Sequence, residues 1–155
     1  MKRILFVCLG NICRSPLAEG MFNHHRIRSG TEWTASADSA GTSNWHIGEP
    51  PHEGSVRAAR NLGISLAGQT CRQVATTDFA DFDVILGMDR SNVENLCRLK
   101  AQSPGGKAEI DLFLNYAGQG MKDVPDPWGE GDAAYDAVAR IIGGAIPAIA
   151  GRLTG

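Results

Sequence analysis

The chain opens with an apolar run, Ile4-Leu-Phe-Val7, that stops at Cys8 and passes through Leu9-Gly-Asn-Ile-Cys13 into Arg14, Ser15 and Pro16. No other stretch constrains the fold as tightly. A short apolar run entering a Gly/Asn turn and then a Ser-Pro pair predicts a buried strand, a tight loop and a helix start, with Ser15 as the N-cap and Pro16 first in the helix. In that order the loop amides and the helix N-terminus converge on one point and favour an anion there. Cys8 reaches the same point from the end of the strand, and Arg14 from the loop just before the helix. A guanidinium grips two phosphate oxygens in a fork that lysine cannot match. A free thiol is mostly protonated at neutral pH, whereas a helix N-terminus and an adjacent cation favour the thiolate. Gly10 permits close backbone approach, and Asn11 tolerates the left-handed conformation that turns amides inward. The Ser15 hydroxyl can donate to the Cys8 sulfur. These residues suit in-line attack on phosphorus through a phosphocysteine.

Other readings of the same loop fit less well. An isolated cysteine is most often an inert core thiol, but the full pattern from Cys8 to Ser15 argues against that here. A nucleotide-binding loop would end in Gly-Lys-Ser/Thr, which is absent. Cys8 and Cys13 are separated by four residues, so they do not form a CxxC redox pair.

Beyond the loop, strand and helix patterns alternate. Leu17, Ala18, Met21, Phe22 and His25 recur at helical spacing and predict a helix to about Ser29. Trp33–Ala40 reads as a second strand, His52–Leu62 contains a helix, and Phe82–Met88 reads as a third strand. Asp89 opens the next helix, with Val93, Leu96, Cys97 and Lys100 on neighbouring faces. Ile110–Leu114 is the fourth candidate strand. The loop from Asn115 to Asp132 is long enough to be functional or mobile. A last helix, about Ala133–Leu153, contains Pro147, which should kink it or split off its final turn. Such alternation implies a parallel α/β sheet whose ligands bind beyond the strands' C-terminal ends.

With 155 residues and no linker-like tract, residues 1–155 are expected to form one domain. Fifteen Lys and Arg against seventeen Asp and Glu leave a net charge of −2, with no basic face for nucleic acid. The apolar run after Met1-Lys-Arg3 is too short for a signal peptide, and no stretch is read as approaching membrane-spanning length. Four cysteines without zinc-ligand spacing suggest reduced thiols in a cytoplasmic enzyme, monomeric or weakly self-associating. His24 and His25 read as helix surface; His46 and His52 lie in or beside a loop and are weaker candidates for touching a ligand. Trp33, Phe79 and Phe82 read as core, Cys71 and Cys97 as packing thiols, and Trp45 as exposed and functional.

Attack by Cys8 on a phosphomonoester expels an alkoxide or phenoxide, so an acid is needed nearby. Asp126 in Val-Pro-Asp-Pro-Trp-Gly is the candidate. An Asp-Pro pair alone is more often a turn, but here it comes with the Cys8 loop, and Trp128 offers an aromatic wall.

Four segments together resemble the low-molecular-weight protein tyrosine phosphatases: Val7-Cys-Leu-Gly-Asn-Ile-Cys-Arg-Ser-Pro, Asp38-Ser-Ala-Gly-Thr, Met88-Asp-Arg-Ser-Asn and Asp126-Pro-Trp. They occur in that family's order and approximate spacing, over essentially the whole chain. The resemblance implies a three-layer α/β sandwich, a four-stranded parallel sheet flanked by helices, with the phosphate loop after the first strand. It implies no metal and no organic cofactor, and phosphotyrosine-containing proteins or small aryl phosphates as substrates. By the same resemblance Cys8 is the nucleophile, Arg14 the phosphate clamp and Asp126 the general acid and later base. Asn11, Ser15 and Ser39 form the network that holds the loop, and Asp89 and Asn92 a structural pair near it. Leu9, Ile12, Trp45 and Trp128 wall the cleft. Gly10 and Cys13 belong to the phosphate-binding loop, Cys13 being able to form a protective, reversible disulfide with Cys8.

Two positions depart from the pattern. Gly129 follows Trp128 where a second aromatic is common, so a wall would have to come from elsewhere, such as Tyr135. Gln69 stands where a His is often found. Phosphoarginine phosphatases of the same superfamily share the glycine but tend to carry a smaller polar residue at the position of Ile12, whose apolar rim suits a phenyl ring. Thiol-dependent arsenate reduction needs a close downstream cysteine pair, and Cys71 and Cys97 are 26 positions apart. A non-enzymatic phosphoprotein-binding module would have no use for a proton donor at Asp126.

Overall fold

A computed structural model describes residues 1–155. Its centre is β1 (Lys2–Cys8), which pairs in parallel with β2 (Ala35–Gly41) on one side and β3 (Val84–Gly87) on the other. β4 (Glu109–Leu112) extends the sheet beyond β3, giving the all-parallel order β2-β1-β3-β4. Strand alternation explains why the run at residues 4–8 is apolar throughout. Ile4, Phe6 and Cys8 enter the larger core, beneath α1 (Arg14–Arg28), α2 (Glu53–Asn61) and α6 (Asp132–Thr154). Leu5 and Val7 enter a smaller core with Phe79, Phe82 and Leu96, contributed by α3 (Asp78–Asp81), the turn after it and α4 (Arg90–Lys100). Helices on both faces make the three-layer sandwich. The chain leaves β1 for β2 on one side and returns to β3 on the other, so strand order reverses at the C-terminal end of β1, where Cys8 sits.

Several boundaries differ from the sequence expectations, each for a visible reason. The N-cap of α1 is Cys13, not Ser15; the Ser15 hydroxyl is spent beneath the loop, on Cys8 and Asn11. Pro16 is third in the helix rather than first, still within the turn whose N–H groups have no intrahelical acceptor. β2 begins at Ala35, opposite Lys2, because β1 offers no earlier partner. Trp33 therefore lies in the preceding turn and is 77% exposed instead of core. β4 ends at Leu112: the Asp111 carboxylate accepts from the Leu112 amide and the Asn115 side chain, turning Phe113 and Leu114 into a short buried helix, α5 (Phe113–Tyr116).

α6 continues through Pro147 as one element; the proline is exposed, so the carbonyl it leaves unbonded is near solvent. This helix also corrects the reading that no stretch approaches spanning length. It is long and apolar enough by length and composition, but its apolar side chains are buried against α1 and α2. Cys71 is buried as expected, whereas Cys97 is exposed on α4.

Candidate active site

The loop between β1 and α1 is held from below by one asparagine. Asn11 is the sole non-glycine residue at positive φ (56°), and its side chain is turned under the loop. Its Oδ1 accepts the Arg72 backbone N–H at 2.9 Å, which fixes the orientation of the amide. Both Nδ2 hydrogens are then donated, to Ser15 Oγ at 2.8 Å and Ser39 Oγ at 3.0 Å. Because Ser15 Oγ already accepts from Asn11, its own proton is left for Cys8 Sγ, 3.1 Å away, with the Ala40 carbonyl a longer alternative at 3.4 Å. Ser39 passes its proton to Glu19 Oε1 at 2.6 Å. Burial pushes Glu19 up to about 7, the Asp38 charge adds to the rise, and the Ser39 hydrogen bond opposes it.

Two further strands of support were not legible in the sequence. Arg72, whose backbone orients Asn11, is itself clamped by Asp78 at 3.0 Å and Asp38 at 3.2 Å. Cys71 donates its thiol proton to the Gly10 carbonyl at 2.9 Å, so it does more than pack. Burial first, then the charge of Cys8, pushes Cys71 up to about 11, and it remains a donor at neutral pH. Gly41 lies directly beneath the loop: a Cβ there would meet Leu9 O at 2.8 Å and Asn11 N at 3.0 Å.

Arg14 is almost wholly buried, at 2% exposure. Its Nη1 donates to Asp89 Oδ2 at 2.8 Å and to the Val124 carbonyl at 2.9 Å. Its Nη2 is 3.7 Å from Asp126 Oδ2, and its Nε has no protein partner. The unspent Nε–Nη2 edge is the side of a guanidinium that binds two oxygens of one anion. Asp89 caps α4 reciprocally with Asn92, each side chain accepting the other's backbone N–H. The pair expected only to brace loops thus also aims the arginine.

Asp126 lies in the segment between α5 and α6, half exposed, with its carboxylate accepting the Trp128 amide at 3.1 Å. Val124 ties that segment to the sheet through its amide on the Met88 carbonyl. Cys8, Leu9, Gly10, Ile12, Cys13, Arg14, Trp45, Asp126 and Trp128 line one cleft, with Asn11, Ser15 and Ser39 underneath and Asn92 behind Asp89. Trp45 and Trp128 are exposed, as cleft walls must be.

His46 also lines the cleft. Its ring is 5.8 Å from Trp128 and lies over Gly10, and Glu49 holds its Nδ1 at 2.9 Å. The local signal was its place beside Trp45 in a polar loop. Tyr135 is not the missing wall. Its ring is packed against Gly54 and stacked on His52, its hydroxyl is 3.5 Å from Cys13 Sγ, and it is 2% exposed. Burial pushes Cys13 up to about 11, partly offset by that hydrogen bond. Gln69 donates to the Pro16 carbonyl and braces the start of α1.

The family model described as "Low molecular weight phosphotyrosine protein phosphatase" matches residues 3–154. The low molecular weight protein-tyrosine-phosphatase YfkJ of Bacillus subtilis is 42% identical over 143 residues, 92% of this chain and 89% of that protein. Its crystal structure superimposes with a TM-score of 0.87, covering 97% of this chain and 93% of the other. The low molecular weight phosphotyrosine protein phosphatase of Sus scrofa is 39% identical over 137 residues, 88% of this chain and 86% of its own. The crystal structure of DARP, a Drosophila arginine phosphatase, superimposes with a TM-score of 0.91 at 28% identity, covering 100% of this chain and 99% of that one.

Proposed function

This chain belongs to the low molecular weight phosphotyrosine protein phosphatases and hydrolyses phosphotyrosine, and we propose that it does so through Cys8, Arg14 and Asp126. One observation supports this assignment above others: a sulfur, an unspent guanidinium edge and a carboxylate line the same cleft. The Cys8 thiolate attacks phosphorus while the bond to the tyrosyl oxygen breaks. Arg14 Nε and Nη2 hold two equatorial oxygens, the loop amides hold the rest, and Asp126 gives its proton to the leaving oxygen. A water then attacks the phosphocysteine, with Asp126 as base. The sulfur–phosphorus bond breaks, inorganic phosphate leaves, and Ser15 donates to the departing sulfur. Leu9, Ile12, Trp45 and Trp128 grip the phenyl ring.

Phosphotyrosine-containing proteins are the substrates we propose, with the chain acting as a monomer or weakly self-associating. The four unpaired thiols suit a reducing compartment, so we place the enzyme in the cytoplasm as a single domain.

Rapid quench during turnover of a labelled aryl phosphate tests the scheme. Label is expected on Cys8, and hydrolysis without labelled Cys8 overturns it. Cys8→Ser is expected to abolish turnover while keeping phosphate binding.

Phosphoarginine hydrolysis is the second reading, favoured by Gly129 after Trp128 and by the likeness to DARP. The buried apolar Ile12 at the cleft favours an aromatic ring instead. Efficient phosphoarginine cleavage with negligible aryl phosphatase activity would reverse the order.

A further inference from the structure

His52 does not line the cleft, yet it joins two of the segments that form it, the loop after β1 and the segment that carries Asp126. Its backbone N–H donates to the Ile12 carbonyl of the phosphate loop at 2.7 Å. Its Nδ1 accepts from the Gly54 amide at 2.9 Å and so caps α2. Its ring stacks on Tyr135 of α6, with centroids 5.0 Å apart and planes 8° apart. The same ring meets Trp128 edge-on, 5.4 Å away at 80°. The next residues repeat the link to the loop: Ser55 Oγ donates to the Cys13 carbonyl at 3.0 Å. Trp128 is otherwise more than half exposed, and its amide is the hydrogen-bond donor to Asp126. Whatever fixes Trp128 therefore fixes the carboxylate.

We propose that His52 is a positioning residue, which holds Trp128, and through the Trp128 amide the Asp126 carboxylate, at a set distance from the phosphate loop. The inference rests on Asp126 being the proton donor. The stack on Tyr135 sets the ring plane and the edge contact transmits it to the acid loop, while the Nδ1 bond serves α2. Aromatic pairs of this geometry are directional, beyond the area they bury. A small displacement of a catalytic group costs rate steeply.

Two variants separate the two contacts. His52→Asn keeps a capping side chain but loses the rings; His52→Phe keeps an aromatic ring but loses the cap. His52→Asp replaces Asn as the capping variant if the latter does not accumulate folded. The measurement is kcat/KM across aryl phosphates of decreasing leaving-group acidity, with Asp126→Ala run alongside. For His52→Asn we expect about a tenfold loss on phenyl phosphate and phosphotyrosine, and about twofold or less on 4-nitrophenyl phosphate. His52→Phe should recover most of the loss despite a lower Tm. Equal loss on all leaving groups, or no recovery with Phe, overturns the inference. If Asp126→Ala itself shows no leaving-group dependence, the acid assignment fails instead.

Discussion

Asp89 accepts a hydrogen bond from Arg14 Nη1 at 2.8 Å while its other oxygen caps α4 through the Asn92 amide. One carboxylate therefore aims the buried Arg14 guanidinium and starts a helix. Asp89→Ala removes both functions and leaves a buried guanidinium short of a partner. Because Asp89 is 23% exposed, the loss is placed below that of a fully buried pair, at about 2–3 kcal/mol. Asp89→Asn keeps the capping oxygen but turns its amide NH2 towards Arg14, so it should recover only the share of the cap, about 1 kcal/mol. Urea unfolding measures the stability. Competitive inhibition by inorganic phosphate should weaken in both variants, and unchanged inhibition would show that Arg14 needs no such anchor.

Gly41→Ala should damage the phosphate loop without altering any of its residues. The added methyl meets Leu9 O at 2.8 Å and Asn11 N at 3.0 Å, both backbone atoms that can move only with the loop. The expected cost is about 1–3 kcal/mol in stability and about a hundredfold in kcat/KM. Gly144→Ala is the control. It sits on an exposed helical position with open space around it, and should stabilise by about 0.5–1 kcal/mol with activity unchanged.

Glu19 makes stability fall as pH rises. Burial raises its folded-state value to about 7 from 4.5, so the folded chain holds a proton that the unfolded chain has released. The stabilisation is complete below about 4.5 and is lost as pH climbs through about 7. At pH 8 the penalty is on the order of 2–3 kcal/mol. Glu19→Gln keeps an acceptor for Ser39 and removes the charge. Its stability should change less between pH 5 and pH 8 than that of the parent chain, as read by denaturant midpoints. Equal slopes would mean that Glu19 ionises freely.

Peroxide should inactivate the enzyme reversibly, by oxidising Cys8 to a sulfenic acid that Cys13 converts to a disulfide with loss of water. Burial holds Cys13 at about 11, so little of it is thiolate at pH 7. That thiolate fraction grows about tenfold per pH unit between 7 and 9. The share of activity recovered with dithiothreitol should therefore rise with pH in the parent chain. In Cys13→Ala it should be low and flat, and recovery unaffected by this substitution would exclude Cys13 as the partner.

The parallel α/β architecture and the loop from Cys8 to Ser15 were readable from residue order, and they follow from short-range rules: apolar periodicity, turn residues and the spacing of a strand, a loop and a helix start. Asp126 became a candidate through the need for an acid and the family resemblance, since an Asp-Pro pair by itself reads as a turn. Ser15 as a helix cap and Trp33 as core were misread for one shared reason. A Ser-Pro pair looks like a cap and a tryptophan looks like core until competing partners are known. Here Asn11 and Cys8 claim the Ser15 hydroxyl, and β1, which starts only at Lys2, leaves Trp33 without a sheet to cover.

Residue order marks the groups proposed to do the chemistry and the segment that carries each one. Tertiary structure alone decided how those groups are aimed. Arg14 meets Asp89 75 positions away and Val124 110 away, and Asn11 meets Arg72 61 away. Such bonds depend on where the switch in strand order brings distant loops together, and no local pattern encodes that meeting. A guanidinium or an amide has several donors to satisfy, and only the folded surroundings determine which are used and which are left to face the substrate.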